Sequence, residues 1–221
     1  MDLLFKLKDP RVDFSLYLVT DRNQTSGRPL LTLLREALAA GLRAVQLREK
    51  DLPTRALLEL AGEVRALTRE YGAKLLINDR LDIAMAVEAD GVHLRADSLP
   101  VSVTRRLLGP DRLIGVSVHS ATEALGVESE GADFALLGPV HETPSKLAYG
   151  APLGLGPIEE AARRCRLPVF AIGGITVARL GEVRRAGAQG VAVISAVLSA
   201  DSVASATRAL LAAPHGTMSE S

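Results

Sequence analysis

Eight short runs recur along this chain, nearly all apolar and rich in branched side chains, and each gives way to polar residues or glycine: 16–20, 44–47, 74–77, 91–94, 113–116, 134–137, 169–172 and 191–194. A strand that is apolar on both faces has to be covered on both faces, which places it in a parallel sheet wrapped by helices. The stretches between the runs carry the other period. Helices are predicted over 30–40, 54–71, 81–87, 101–108, 121–129, 156–165, 177–186 and 202–211, and Leu57, Leu60, Ala61, Val64 and Leu67 form the i, i+3, i+4 stripe of a core-facing helix. Eight alternating pairs in 221 residues predict an α/β fold of one domain, a single (β/α)8 TIM barrel over 16–211, with an N-terminal extension at 1–15 and a polar C-terminal tail at 212–221. Glycine sits between helix and strand at Gly41, Gly131 and Gly187, where a left-handed cap would end the helix.

Barrel enzymes carry their chemistry at the strand C-termini, so the junction residues are the candidates. Gln46-Leu47-Arg48-Glu49-Lys50-Asp51 closes the second run, Asn78-Asp79 the third, Gly138-Pro139 the sixth, Gly173-Gly174 the seventh and Ser195 the eighth. Lys+Arg and Asp+Glu both number 26, so the chain has no electrostatic footprint for nucleic acid or an anionic membrane, and any anion must be caught locally. The N-terminus is too polar for a signal-peptide core and no apolar run approaches membrane-spanning length. Cys165 stands alone, which predicts a reducing, cytoplasmic setting and a packing role for that thiol.

The junctions point to phosphate. The long connection at 138–156 contains Thr143, Ser145 and Lys146, two hydroxyl donors and a cation suited to clamping a phosphate or diphosphate. Ala171-Ile172-Gly173-Gly174-Ile175-Thr176 leads from a strand into a helix, as does Ile194-Ser195-Ala196. Loops after the seventh and eighth strands are the usual phosphate site of such barrels, and glycine lets the backbone approach the ligand. His93 and His119 read as structural or loop-orienting residues.

In order and spacing these elements resemble the thiamine phosphate synthases and the superfamily they share with the thiazole tautomerases of thiamine biosynthesis. The matching residues are Leu18-Val19-Thr20-Asp21, Gln46 to Asp51, Asn78-Asp79, Gly115-Val116-Ser117-Val118-His119, Gly138-Pro139 with Thr143, Ser145 and Lys146, Gly173-Gly174-Ile175, and Ile194-Ser195. The resemblance implies a transferase: hydroxymethylpyrimidine diphosphate loses pyrophosphate, and the nitrogen of hydroxyethylthiazole phosphate attacks the pyrimidine methylene to give thiamine phosphate. It implies that Arg48, Lys50 and Lys146 hold the diphosphate with Gln46 and Asn78 as neutral donors, and that Asp79 binds Mg²⁺. Gly174 and the Ile194–Ser195 backbone would hold the thiazole phosphate, with Ser117 and Thr143 lining the pocket between. A homodimer is implied as well.

One departure stands out. The synthases carry a second Mg²⁺ ligand, an aspartate, after the fourth strand, and the matching position here, in Arg95-Ala96-Asp97-Ser98, is Ser98. Asp97 is the substitute if the loop shifts, and Arg95 brings a cation instead; losing one carboxylate predicts weak or rearranged Mg²⁺ binding. The tautomerase alternative rests on His141, an acid/base candidate in the long loop. A third reading is a regulator that binds thiazole or thiamine phosphate without turnover.

Overall fold

The structure, a computed structural model, describes residues 11–142 and 151–212; Thr143, Ser145 and Lys146 lie outside the described residues, as do 1–10 and 213–221. The strands are β1 (Leu16–Val19), β2 (Ala44–Leu47), β3 (Lys74–Asn78), β4 (Gly91–Leu94), β5 (Leu113–Val118), β6 (Phe134–Leu137), β7 (Val169–Ile172) and β8 (Gly190–Val193). Each is parallel to its neighbours and β8 pairs back to β1, so the sheet closes into a barrel with no free edge. Around it run α1 (Leu30–Ala39), α2 (Thr54–Glu70), α3 (Leu81–Ala86), α4 (Val101–Leu108), α5 (Ala121–Ser129), α6 (Gly156–Arg164), α7 (Leu180–Arg185), the short α8 (Ser195–Leu198) and α9 (Val203–Ala212). Among the described residues no helix is long and apolar enough to cross a membrane.

The predicted alternation holds throughout, and the differences have physical causes. β8 starts one residue earlier than expected, at Gly190, which pairs with Phe170 in the ladder to β7; the position admits only glycine, since an added Cβ would lie 2.3 Å from Phe170 Cε1. At its other end Ile194 falls outside the strand and opens the turn into α8. β5 runs on through Ser117 to Val118, since a polar side chain at the barrel mouth does not interrupt the ladder to β6. The stretch 177–186 is split into a 3-10 turn, Val177–Arg179, and α7. The three glycines at helix ends do adopt positive φ, 106°, 95° and 98° at Gly41, Gly131 and Gly187.

Two apolar cores follow from the strand period of two. Outward residues such as Leu18, Val45, Leu75, Ile77 and Val92 meet the helices, among them Leu57, Ala61 and Val64 of α2. Inward residues fill the barrel: Tyr17, Val19, Ala44, Leu76, Leu113, Phe134, Leu136, Phe170 and Ala192. Large rings lie against missing side chains, and Phe134 occupies the space that a Cβ on Gly115 would need.

Residues 11–15 extend this inner core. Phe14 is buried at the N-terminal mouth, with ring centroids 5.7 Å from Tyr17, 5.7 Å from Phe134 and 5.3 Å from Phe170. Arg11 pairs with Asp133. Asp133 Oδ2 also accepts from the Ile114 N–H and Arg105, and Asp90 Oδ2 does the same for the Leu75 N–H and Arg65, so aspartates at two strand entries tie neighbouring units together. Cys165 is buried, as a packing residue would be.

Candidate active site

Four strands bring polar side chains to the C-terminal mouth by continuing the inward parity past the apolar layer. Gln46 on β2 pairs with Val19 and Leu76, and Asn78 on β3 pairs with His93 on β4. Ser117 on β5 pairs with Leu136. Gln46 is buried, and among the described residues its Nε2 has no hydrogen-bond partner.

The turn after β2 is held from β1. Thr20 Oγ1 accepts from the Arg48 N–H at 2.9 Å. Glu49 turns away from the mouth and is buried, where its Oε2 accepts from Arg22 N and Arg22 Nε, each at 3.1 Å, while Arg22 Nη2 reaches Asp51 at 2.9 Å. That clamp ties Glu49 and Asp51 to Arg22, on either side of Lys50 in the sequence and next to the half-buried Arg48. Burial lowers the pKa of its guanidinium, the nearby Arg95 lowers it further, and Asp21 and Glu49 oppose the shift. A desolvated arginine beside a second cation is a strong attractor for an anion.

Asp79 sits in the left-handed region, φ 62°, with its N–H donating to the His93 carbonyl at 2.9 Å. A non-glycine residue there is uncommon, and aspartate tolerates it better than most. The flanking residue that opens α3 is Arg80, so the Asp79 carboxylate is not a helix cap. Its Oδ1 instead accepts a hydrogen bond from Ser98 Oγ. Ser98 in turn closes the loop after β4: its Oγ accepts from the Arg95 N–H at 2.7 Å and its N–H donates to the Arg95 carbonyl at 3.1 Å. Asp97 does not approach Asp79. It forms a two-pronged pair with Arg95, whose Nε lies 2.9 Å from Oδ1, and its pKa is lowered chiefly by that hydrogen bond, with a further contribution from Lys50.

Below this rim lies a buried polar line. Tyr17 Oη faces His93 Nδ1 at 3.5 Å, and His93 Nε2 lies 3.0 Å from Ser117 Oγ. Burial pushes the Tyr17 pKa well up and lowers that of His93 to about 3, with Arg48 adding to the latter, so the phenol keeps its proton and the imidazole stays neutral. If Tyr17 donates to Nδ1, the ring proton rests on Nε2 and is donated to Ser117, whose own O–H can then point into the mouth. His119 serves its loop, with Nδ1 2.6 Å from the Gly138 carbonyl.

The opposite side of the mouth is backbone. After the cis Gly138–Pro139 bond, Val140 N and His141 N donate to Ile172 O at 2.8 Å and Gly173 O at 3.2 Å, and Leu153 N returns to Pro139 O at 2.8 Å. Both ends of the long loop are thereby pinned beside β7. Gly174, φ 60°, has no space for a side chain, since a Cβ would lie 2.5 Å from Glu142 O and 2.8 Å from His141 Cβ. Arg179 Nη1 donates to the Gly174 carbonyl at 2.7 Å. His141 lies against α7, with Nε2 3.3 Å from Glu182 Oε1; burial and then Arg179 lower its pKa, and Glu182 raises it. Ile194 and Ser195 form the adjacent turn into α8.

Gln46, Arg48, Asn78, Asp79, Ser117, Gly174, Ile194 and Ser195 thus share one rim, and Lys50 follows Arg48 in the β2 loop. Sequence reasoning missed the Arg22–Glu49 clamp and the His93–Ser117 bond, because partners 27 and 24 residues apart leave no local pattern.

A family model described as thiamine monophosphate synthase matches residues 16–197. The chain is 54% identical over 202 residues to a putative thiamine-phosphate synthase of Geobacter sulfurreducens, covering 91% of this chain and 95% of that protein. It is 47% identical to the thiamine-phosphate synthase of Roseiflexus castenholzii, covering 88% of this chain and 86% of that protein. Among solved structures, the thiamine phosphate pyrophosphorylase from Pyrococcus furiosus superposes with a TM-score of 0.82 at 39% identity, over 92% of this chain and 96% of that one. With that match spanning the barrel from its first strand to the turn after its last, the chain belongs to the thiamine monophosphate synthase family.

Proposed function

We propose that this chain is a thiamine-phosphate synthase, a transferase that joins hydroxymethylpyrimidine diphosphate to hydroxyethylthiazole phosphate and releases pyrophosphate. The observation that carries the reading is the division of the mouth into two unlike arcs. Side-chain cations follow β2 and β4, at Arg48, Lys50 and Arg95, and turns of backbone follow β7 and β8, at Gly173–Gly174 and Ile194–Ser195. A reaction between a diphosphate and a phosphate monoester needs one arc for each.

In the step itself the bond from the pyrimidine methylene to the diphosphate oxygen breaks, and the thiazole nitrogen supplies the pair for the new carbon–nitrogen bond. Negative charge grows on the leaving group, where Arg48 is already desolvated and therefore acts strongly. In this reading Lys50 and Lys146 add charge, and Gln46 and Asn78 donate hydrogen bonds; the buried Gln46 Nε2, without a partner among the described residues, supports its assignment. Ser117, oriented by His93, lines the pocket between the arcs with Thr143, and Ser145 joins the clamp. No protein nucleophile is required.

The donor set fits Mg²⁺ poorly. Asp79 is engaged by Ser98, Asp97 is paired with Arg95, and among the described residues no group of three or more His, Cys, Asp or Glu side chains is arranged to hold a metal ion. A hard cation prefers several oxygen ligands with carboxylate charge, so no step is assigned to it. The reading extends to a homodimer and a cytoplasmic setting; Met85 of α3 and Leu107 of α4, 47% and 54% exposed, supply apolar surface for such an assembly.

The purified chain, given the pyrimidine diphosphate and the thiazole phosphate with and without Mg²⁺, is expected to form thiamine phosphate and pyrophosphate in equal amounts. No product under either condition, with both substrates bound, would favour the regulator.

A further inference from the structure

The loop after β4 puts a guanidinium where a divalent cation would need a carboxylate. Arg95 continues the inward parity of Gly91 and His93, so it leaves β4 on the side of the mouth. Its partner there is Asp97, whose side chain is 72% exposed. A pair this exposed is screened by water and only weakly held, so a multiply charged ligand can displace Asp97 at little cost. Two more cations bear on the same place: Lys50 acts electrostatically on Asp97, and Arg95 on Arg48.

Ser98 works in the other direction. Its hydroxyl donates to Asp79 Oδ1 and accepts from the Arg95 N–H, and its own N–H donates to the Arg95 carbonyl, so the Asp79 carboxylate already has a hydrogen-bond donor and lies near a guanidinium. The carboxylates that bear on these cations, Asp21, Glu49, Asp79 and Asp97, are each already hydrogen-bonded within the protein, to Asn23 and Gln24, to Arg22, to Ser98 and to Arg95, while Arg48, Lys50 and Arg95 bring to the rim the positive charge a diphosphate needs.

Resting on the synthase reading, we infer that Arg95 binds the diphosphate directly, exchanging Asp97 for a phosphate oxygen, and that this site takes up pyrophosphate without a divalent metal. The planar fork now holding both oxygens of Asp97 presents the same two N–H groups to a phosphate.

Pyrophosphate binding to the full chain, measured by calorimetry in EDTA, tests this without the second substrate or turnover. Binding in EDTA is expected, with Arg95→Gln weakening it about tenfold or more. Mg²⁺ is expected to tighten the wild type less than about threefold, and the double substitution Arg95→Gly with Ser98→Asp about tenfold or more, because two carboxylates then need a cation. Pyrophosphate binding that appears only with Mg²⁺, or an unchanged affinity in EDTA for Arg95→Gln, would overturn the inference. Either result leaves the synthase reading standing if thiamine phosphate is formed. Absence of product alongside metal-free, Arg95-dependent binding would separate the two the other way.

Discussion

His93 shows how one side chain can serve both the barrel interior and the mouth. Its ring packs against Tyr17 and Phe134 at centroid distances of 5.8 Å each, while Nε2 steadies Ser117 at the rim. Burial holds its pKa near about 3, whereas in the unfolded chain it returns to about 6.5. The unfolded state therefore binds the proton first, so stability is fully present above about pH 6.5 and is lost as pH falls toward about 3, by up to about 1.4 kcal/mol per pH unit. Urea midpoints compared between pH 7 and pH 5, before most carboxylates titrate, are expected to fall for the wild type and to stay nearly level for His93→Gln. Parallel slopes for the two proteins would mean the imidazole is solvated. The lone histidine near the end of a strand was legible as structural; its bond to Ser117 was not, since the register of β4 against β5 decides it.

At the scale of elements, the turn after β7 is where local sequence and tertiary packing meet. Two consecutive glycines predict a tight approach, and both have positive φ, 102° at Gly173 and 60° at Gly174. The reason the second admits no side chain comes from another element, the 141–142 segment that lies across it. Gly174→Ala costs on the order of 1–2 kcal/mol in left-handed backbone strain alone. It also pushes the Glu142 carbonyl away. We expect the KM for the thiazole phosphate to rise about tenfold while kcat changes little, because ground-state and transition-state contacts to that phosphate are lost together. Steady-state kinetics with the diphosphate saturating would show it; an unaltered KM would place the phosphate elsewhere. The helix–strand alternation itself was readable from period alone, while boundaries moved by a residue or two, at the ends of β1 and β3 and above all at β5 and β8, where Ser117 and Gly190 break the apolar rule for reasons that only the neighbouring strand supplies.

For the whole molecule, the segment before β1 decides how the barrel is sealed. Phe14 falls within the N-terminal extension that the sequence places at 1–15. In the structure it completes an aromatic cluster with Tyr17, Phe134 and Phe170. Truncation of a buried phenylalanine typically costs about 3–5 kcal/mol. Phe14→Ala is expected to lower the urea midpoint accordingly, with thiamine phosphate formation retained below the transition because the ring lies at the mouth opposite the site. A change under about 1 kcal/mol would mean that residues 11–15 are not part of the cooperative unit.

The eight-fold alternation, the closed parallel sheet and the identity of the charged strand ends were legible in the sequence alone, because each follows from short-range periodicity and from residues adjacent in the chain, and the motifs at those ends carried the resemblance to the family. Only the tertiary structure decided how the rim residues are paired. Asp97 turns to Arg95, Ser98 caps Asp79, Arg22 withdraws Glu49, and Phe14 plugs the far end. Most of those contacts join residues far apart in the chain, brought within hydrogen-bond or van der Waals reach when the barrel closes, and the 95–97 pair depends on a turn that Asp79 and β4 together shape.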